Sequence, residues 1–497
     1  MTEPADRAGR GPAGVRGVLL CGDTELGAWL LERAPERTGS ADGTSAGDGT
    51  SGAGGTSGTS GAGGGLPVRL ACVRYGGAEV PACYAEAGAG TARWLSLVWE
   101  PGELLVGPAG LPGVPGCPRC AWLRRRRNQP PVPQAGPGQD RMPLAPPAGP
   151  VLDLAAALLA GELAALARDG RRTGHGTPDA GWPLARTRGA LLRIGTDRGG
   201  VSRHPLLPDP ECVRCGPLLT GADRDPVPGP AGPPPPSPGR LRALSGARLA
   251  ALTRTFVDPC AGLVQEVRER SEGGRPVAVA VRSPARATGV SHHGYGHGAD
   301  FRTAAAHAVL EALERLGGTP TPRAAASRGP VASFRQVAGT AVYPPSLGLH
   351  PDASYDRPGF PYARWSASRE TEWIWARSLT RDRAVLVPAG HVHYAEARPA
   401  RPRFVQELSN GCALGASLAE AVLHGLLEVA ERDAFLATWY ARLPLRRIDL
   451  GSAADRRVPV LAAWARERAG VELRAYDATL EQGIPAVWVM AVAGADA

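Results

Sequence analysis

The chain has 497 residues, 43% of them hydrophobic, and 56 basic against 47 acidic side chains give a formal net charge of +9. All the basic residues are arginine, which excludes a Schiff-base lysine and the usual phosphate-loop lysine. This length implies roughly two to four domains, and the modest basic bias allows an anionic partner without demanding nucleic acid. The N-terminus has no charged-then-apolar signal pattern, and no stretch reads as reaching the roughly 18 apolar residues of a membrane span. We therefore expect a cytoplasmic chain with no membrane or nucleic-acid partner. Its nine cysteines should then be thiols or metal ligands rather than disulfides.

Residues 17–32, GVLLCGDTELGAWLLE, read as a buried strand, a glycine turn and a helix, the opening of a nucleotide-type α/β unit. A Gly/Ser/Thr/Ala insert at 39–65 has no core-forming side chains. Strands are expected near 67–73, 94–99 and 103–107. The run of four arginines at 124–127 reads either as a solvated loop or as a phosphate contact. A Pro-rich connector at 130–150 leads into an Ala/Leu helix at 151–167, interrupted by Asp153 and Glu162 and so assigned to a soluble domain. A second Pro-rich segment at 226–239 is stiff and extended, and marks the expected boundary between a first domain, 1–225, and a second, 240–497. The closing IPAVWVMAVAG reads as a buried strand with no element to finish its sheet. On that basis the chain is expected to be a fragment, with the C-terminal part of the second domain missing.

Cys117-Pro-Arg-Cys120 and Cys212-Val-Arg-Cys215 are two C-x-x-C knuckles, able to complete a tetrahedral four-thiolate site with no open position, hence structural zinc. Buried thiols or a redox pair are the alternatives. Cys21, Cys72, Cys83, Cys260 and Cys412 have no partner at metal spacing and read as core thiols.

Residues 307–315, HAVLEALER, and 424–432, HGLLEVAER, share the pattern H-x-x-x-E-x-x-E-R. On a helix, His307, Glu311, Glu314 and Arg315 form one face, opposite Val309, Leu313 and Leu316. Gly317-Gly318 should end that helix. In the second copy His424, Glu428, Glu431 and Arg432 form the polar stripe, and Ser417-Leu-Ala-Glu420 reads as a capping box. Gly298 and Gly415 precede their first glutamates by the same interval. A single E-x-x-E-R is usually a solvated face, but two matching copies point to a duplication whose polar faces meet. Four converging carboxylates need a cation, and ligands of this kind favour Mg²⁺ or Ca²⁺, Mg²⁺ being the companion of nucleotide phosphates. A di-iron site is the competing idea, but it places His three residues after Glu rather than four before.

The segments SNGCALGASLAEAVLHGLLEVAERDAF (409–435) and GYGHGADFRTAAAHAVLEALER (294–315) resemble the two signature segments of YcaO-domain proteins, a similarity running from about residue 240 to the end. ELLVGPAGLPGVPGCPRCAWLRR (103–125) and HPLLPDPECVRCG (204–216) resemble the ThiF-like zinc half fused to azole-forming YcaO enzymes. The resemblance implies an α/β ThiF-like domain with a four-cysteine zinc site, followed by an α+β YcaO domain with an internal pseudo-repeat. It also implies an ATP-dependent cyclodehydratase of thiazole/oxazole-modified peptide biosynthesis, of the bacteriocin or thiopeptide type, that turns Cys, Ser or Thr of a ribosomal precursor peptide into azolines. Glu311, Glu314, Glu428 and Glu431 would then be Mg²⁺ ligands, with Asn410 and Arg432 as ATP contacts beside His297 and His307. The last two stand where relatives often carry Lys and Ser. The expected partners are the precursor peptide, a separate leader-peptide-binding protein, an azoline dehydrogenase and a second copy of the chain. A non-catalytic peptide-docking scaffold and a thioamide- or amidine-forming YcaO enzyme are the other functions compatible with these residues.

Overall fold

The computed structural model describes residues 18–33, 68–74, 81–86, 93–110, 114–128, 149–169, 185–197, 199–209, 211–216, 241–272, 275–281, 293–318, 328–393, 403–406 and 408–493. The low-complexity insert at 39–65, the connector at 130–148 and the Pro-rich segment at 226–239 lie outside them. Contacts divide the chain into two units, residues 1–222 with Asp258–Gly262, and Asp223–Val257 with Leu263–Ala497.

The first unit is built on a six-stranded sheet in the order β1 (Val18–Gly22), β2 (Val68–Arg74), β3 (Arg93–Glu100), β4 (Glu103–Gly110), β5 (Ala190–Gly195), β6 (Val201–Pro205). The first three strands run parallel and the rest antiparallel. Side chains alternate between faces along each strand. Leu95, Leu97 and Leu104 therefore pack against helices α1 (Thr24–Glu32) and α4 (Gly149–Asp169), while Val98, Leu105 and Leu191 face the cysteine knuckles. Both faces of β3 and β4 are covered, and every residue in them is buried. The short α2 (Ala82–Glu86) supplies Tyr84, whose ring meets Trp122 at 6.3 Å.

Two expectations fail in this unit. Residues Gly149–Leu166 of α4 are long and apolar enough to cross a membrane by composition, contrary to the sequence reading, and half of that window is buried. Its Leu159, Leu163 and Leu166 fill the sheet-side core. Glu162 does not break the helix. Its buried carboxylate accepts the backbone N–H groups of Arg186 (3.1 Å) and Thr187 (3.0 Å) and the Thr187 hydroxyl (2.6 Å), which is what lets a charge stay inside. The four arginines are neither a solvated loop nor a free phosphate contact. They sit on α3 (Pro118–Asn128). Arg124 pairs with Asp209 at 3.1 Å, Arg125 with Glu100 and Glu103, and Arg127 with Asp209 and Glu211, both at 2.7 Å; Arg126 lies over the Trp122 ring. The sequence offered no sign of these acidic partners. Asp209 and Glu211 stand 82 and 84 positions from Arg127 along the chain, and only the fold returns them to α3.

In the second unit α5 (Gly246–Thr253) precedes an antiparallel sheet β7 (Glu266–Glu272), β8 (Arg275–Val281), β9 (Gly294–His297). Helix α6 (Phe301–Gly317), N-capped by Asp300, lies directly on β9. The fit depends on hydrogen side chains. A Cβ at Gly294 would sit 2.0 Å from the carbonyl oxygen of Ala308, and one at Gly296 2.0 Å from that of Ala304. Ala304, Ala308 and Ala312 complete the small-residue seam. A second sheet, β10 (Arg328–Ser333), β11 (Glu370–Ser378), β12 (Arg383–Pro388), closes around Trp373, whose Nε1 donates to the carbonyl of Ala332. Helix α7 (Leu418–Ala441) follows, then β13 (Arg446–Ile448), α8 (Arg457–Ala469), β14 (Val471–Asp477) and β15 (Val487–Ala493). The closing strand is not buried as expected. It forms the edge of the sheet β13-β14-β15, and Val487 and Val489 are exposed.

Candidate functional site

Both H-x-x-x-E-x-x-E-R segments are helical, on α6 and α7. Their shared residues do matching work. Because β9 is a sheet edge, its outward backbone groups need partners, and α6 supplies them. Glu311 Oε2 accepts the N–H of Tyr295 at 2.6 Å, and His307 Nδ1 bonds the carbonyl of His297 at 2.9 Å. On α7, Glu428 Oε2 accepts the N–H of Gly411 at 3.2 Å, and His424 Nε2 bonds the carbonyl of Leu241 at 3.1 Å. Gly425 admits the Gly411 loop, since a Cβ there would meet the Gly411 carbonyl oxygen at 2.6 Å. In each copy the histidine and the first glutamate tie the helix to a neighbouring backbone. The i,i+4 arginines complete the match, Arg315 on Glu311 and Arg432 at 3.6 Å from Glu428.

The second glutamates differ. Burial first, then the negative charges of Glu428 and Glu311, push the Glu314 carboxyl up to about 7. Glu311, Glu314 and Glu428 thus share one electrostatic neighbourhood across the two helices. Glu431 is exposed on α7 and is not among the charges acting on Glu314. The four carboxylates do not close into a cluster with all ligand oxygens within 4.8 Å of one another; among the described residues only Cys117, Cys120, Cys212 and Cys215, and His204, Asp258 and Cys260, meet that spacing. Cys412 sits beside the carboxylates, its thiol pushed up by burial and then by Glu314 and Glu428. Arg432 is exposed on α7, Asn410 is exposed in the loop before it, and His297 is exposed at the end of β9.

One expected feature is only half formed. Ser417 caps α7 by accepting the N–H of Glu420 at 3.2 Å, but the Glu420 side chain accepts from Ala243 N at 3.1 Å instead of closing the box. Arg242, 3.5 Å away, adds a charge to this buried carboxylate.

The cysteine knuckles meet as their spacing predicts. All four are buried and unpaired by disulfides. Cys117 Sγ lies 3.9 Å from Cys120 Sγ and 3.7 Å from Cys212 Sγ. Backbone amides converge on the sulfurs: Gly116 N on Cys215 (3.4 Å), Asp209 N on Cys120 (3.3 Å) and Cys215 N on Cys212 (3.5 Å). The hydrogen bond with Cys117 pushes the Cys120 thiol up, whereas hydrogen bonds from Cys117 and Cys120 bring Cys212 down to about 7 and lower Cys215 as well. Of the remaining cysteines, Cys72, Cys83 and Cys260 are buried, and Cys21 and Cys412 only partly so. Cys260, read as an isolated core thiol, belongs to the cluster with His204 and Asp258. No spacing in the sequence signals that cluster.

Residues 295–497 match the family model described as YcaO cyclodehydratase, ATP- and Mg²⁺-binding. An uncharacterized protein of Methanothermobacter thermautotrophicus is 32% identical over 229 residues, 46% of this chain and 55% of the relative. A solved heterocyclase in complex with substrate and cofactor superposes with a TM-score of 0.66 at 21% identity, covering 84% of this chain and 58% of that one. The heterocyclase TruD gives 0.58 at 20% identity, over 85% and 57%. The chain thus spans little more than half the length of these proteins. It is a mixed α/β chain with the fold of the heterocyclases, and the match to the YcaO family model covers its residues 295–497.

Proposed function

We propose that the chain is an ATP-dependent YcaO-type cyclodehydratase that converts Cys, Ser or Thr of a ribosomally made precursor peptide to azolines. The observation that carries this reading is the pair of matching glutamate helices inside the YcaO domain, with Glu314 pushed up to about 7 by burial and by Glu428 and Glu311. Half-buried like charges of this kind fit a hard divalent cation, and Glu311, Glu314 and Glu428, with the exposed Glu431, would hold Mg²⁺. When bound, Mg·ATP supplies the phosphoryl group that makes a backbone amide oxygen a leaving group. The protein's task in such chemistry is positioning and charge neutralisation. Glu311 and Glu428 are oriented for it, because Oε2 of each is fixed by a backbone N–H, while Oε1 of each meets an arginine, Arg315 or Arg432, that would yield it to a metal. Arg432 and Asn410 are assigned to the nucleotide, with His297 and His307 beside them. The Nδ1 of His307 is engaged with the His297 carbonyl, so only its Nε2 faces a ligand.

In this reading the first unit is the ThiF-like domain and its cysteine quartet holds structural zinc. Sulfur separations of 3.7 and 3.9 Å fit the edge, about 3.8 Å, of a tetrahedron with Zn–S bonds of about 2.3 Å. Nine cysteines without a disulfide suit a reducing, cytoplasmic compartment. The precursor peptide is the proposed substrate, delivered by a separate leader-binding protein. Isothermal titration of the chain with Mg·ATP tests the site. Binding that weakens at least tenfold in E311Q and E428Q supports it; no binding, or binding indifferent to both changes, removes it. Mass spectrometry of a treated precursor peptide then distinguishes azoline formation, one water lost per residue, from exchange of oxygen for sulfur.

A further inference from the structure

In the first unit, Ser202 Oγ lies 2.7 Å from His204 Nε2, and His204 Nδ1 lies 2.9 Å from Asp258 Oδ2 and 3.2 Å from Oδ1. We propose that Ser202, His204 and Asp258 form an acyl-transfer relay, with Ser202 as nucleophile toward carboxylic esters. Such a constellation is recognised by geometry and roles, not by sequence order.

Each part is held for a physical reason. Ser202 and His204 are two apart on β6, so both project from one face. Leu191, opposite His204 in the register, belongs to the core on the cysteine side. Asp258 is 8% exposed, and its Oδ1 also accepts the N–H groups of Cys260 (2.8 Å) and Ala261 (2.7 Å). A carboxylate fixed in this way holds the ring with its proton on Nδ1, leaving the Nε2 lone pair for the serine hydroxyl. Ser202 itself is exposed, so an acyl group can reach it from solvent.

The strand also offers an oxyanion donor. β6 is the outer strand of its sheet. The bonds Gly195 N to Gly200 O and Leu206 N to Gly189 O, with the β5–β6 register, turn the backbone groups of Ser202 and His204 toward β5. Antiparallel alternation then turns those of Val201 and Arg203 outward. The Arg203 N–H, on the residue after the nucleophile, is where an oxyanion donor is found in other acyl-transfer sites.

In the reaction, Oγ bonds to the ester carbonyl carbon as its proton passes to Nε2. The carbon–alkoxide bond breaks, and Nε2 returns the proton to the leaving alkoxide. Water then adds to the acyl-serine with the same ring as base, releasing the acid and regenerating Ser202. The net change is ester plus water to acid plus alcohol, and no oxidant, metal or cofactor enters.

The test uses the full chain, a fluorophosphonate probe and p-nitrophenyl acetate, with peptide mapping of the adduct. We expect one adduct on Ser202, absent in S202A, and a labelling rate about 100-fold lower or more in H204Q, the usual share of a general base. Circular dichroism checks that both variants fold; S202A alters an exposed side chain and keeps the comparison valid should H204Q not fold. No adduct, an adduct on another residue, or labelling of Ser202 at an unchanged rate in H204Q overturns the proposal. So does labelling abolished by EDTA while circular dichroism shows the chain still folded, which would assign His204, Asp258 and Cys260 to a metal instead.

Discussion

Gly296→Ala tests the contact that sets α6 on β9. A Cβ there would lie 2.0 Å from the carbonyl oxygen of Ala304 and 2.4 Å from the amide nitrogen of Ala308, where ordinary contact begins at 3.4 Å. Both obstacles are backbone, so no side chain can rotate away, and the helix must move off the strand by about 1.4 Å. That shift would stretch the bond from Tyr295 N to Glu311, 2.6 Å long, and that from His307 to the His297 carbonyl, 2.9 Å long, beyond hydrogen-bonding range. Overpacking together with a lost bond to a charged acceptor should cost about 3 kcal/mol or more. Urea denaturation measures this, and a parallel Mg·ATP titration should show weakened binding as Glu311 loses its anchor. Gly317→Ala is the control, because nothing lies within 4 Å of a Cβ at that position; it should be neutral or stabilising by up to about 1 kcal/mol. A Gly296→Ala protein within about 1 kcal/mol of wild type would refute the seam as the feature that positions Glu311.

Glu162→Ala leaves the amides of Arg186 and Thr187 and the Thr187 hydroxyl without their buried acceptor, so denaturation should show a loss of about 3 kcal/mol; an unchanged midpoint would mean water replaces the carboxylate. Glu314 has its folded pKa raised from 4.5 to about 7, so the folded state holds its proton more tightly than the unfolded chain. Stability in EDTA should therefore fall as pH rises from 4.5 to 7 and level off above. Glu314→Gln should remove that part of the slope, and Mg²⁺ should stabilise the wild type more at pH 8 than at pH 5; an identical pH profile for the variant contradicts the assignment. Elemental analysis of purified protein should find about one zinc per chain, lost in C117S and C212S together with thermal stability. A metal-free wild type that unfolds cooperatively at the same temperature would contradict a structural ion.

Much of this was legible in the sequence because it is local. The strand, turn and helix at the start, the strands of the first sheet and the two glutamate helices follow from periodicity and glycine placement, which spacing along the chain encodes. The C-x-x-C knuckles were legible for the same reason, since each presents two thiols by itself. The shared histidines were visible too, but their role was not. Each bonds a backbone carbonyl, of His297 or of Leu241, and such a partner leaves no trace in composition.

By itself the sequence determined which residues stand on one helical face or one turn: Glu311 with Glu314, Glu428 with Glu431, Cys117 with Cys120, Cys212 with Cys215. Only the tertiary structure decided which of those groups meet. It drew Glu314 toward Glu428 and left Glu431 exposed, enclosed the arginine run among Glu100, Glu103, Asp209 and Glu211, and brought Asp258 to His204. The reason is that a covalent repeat fixes directions only within a turn or a strand. Long-range partners are chosen by close packing and by the need of every buried charge for a counter-charge or a hydrogen bond.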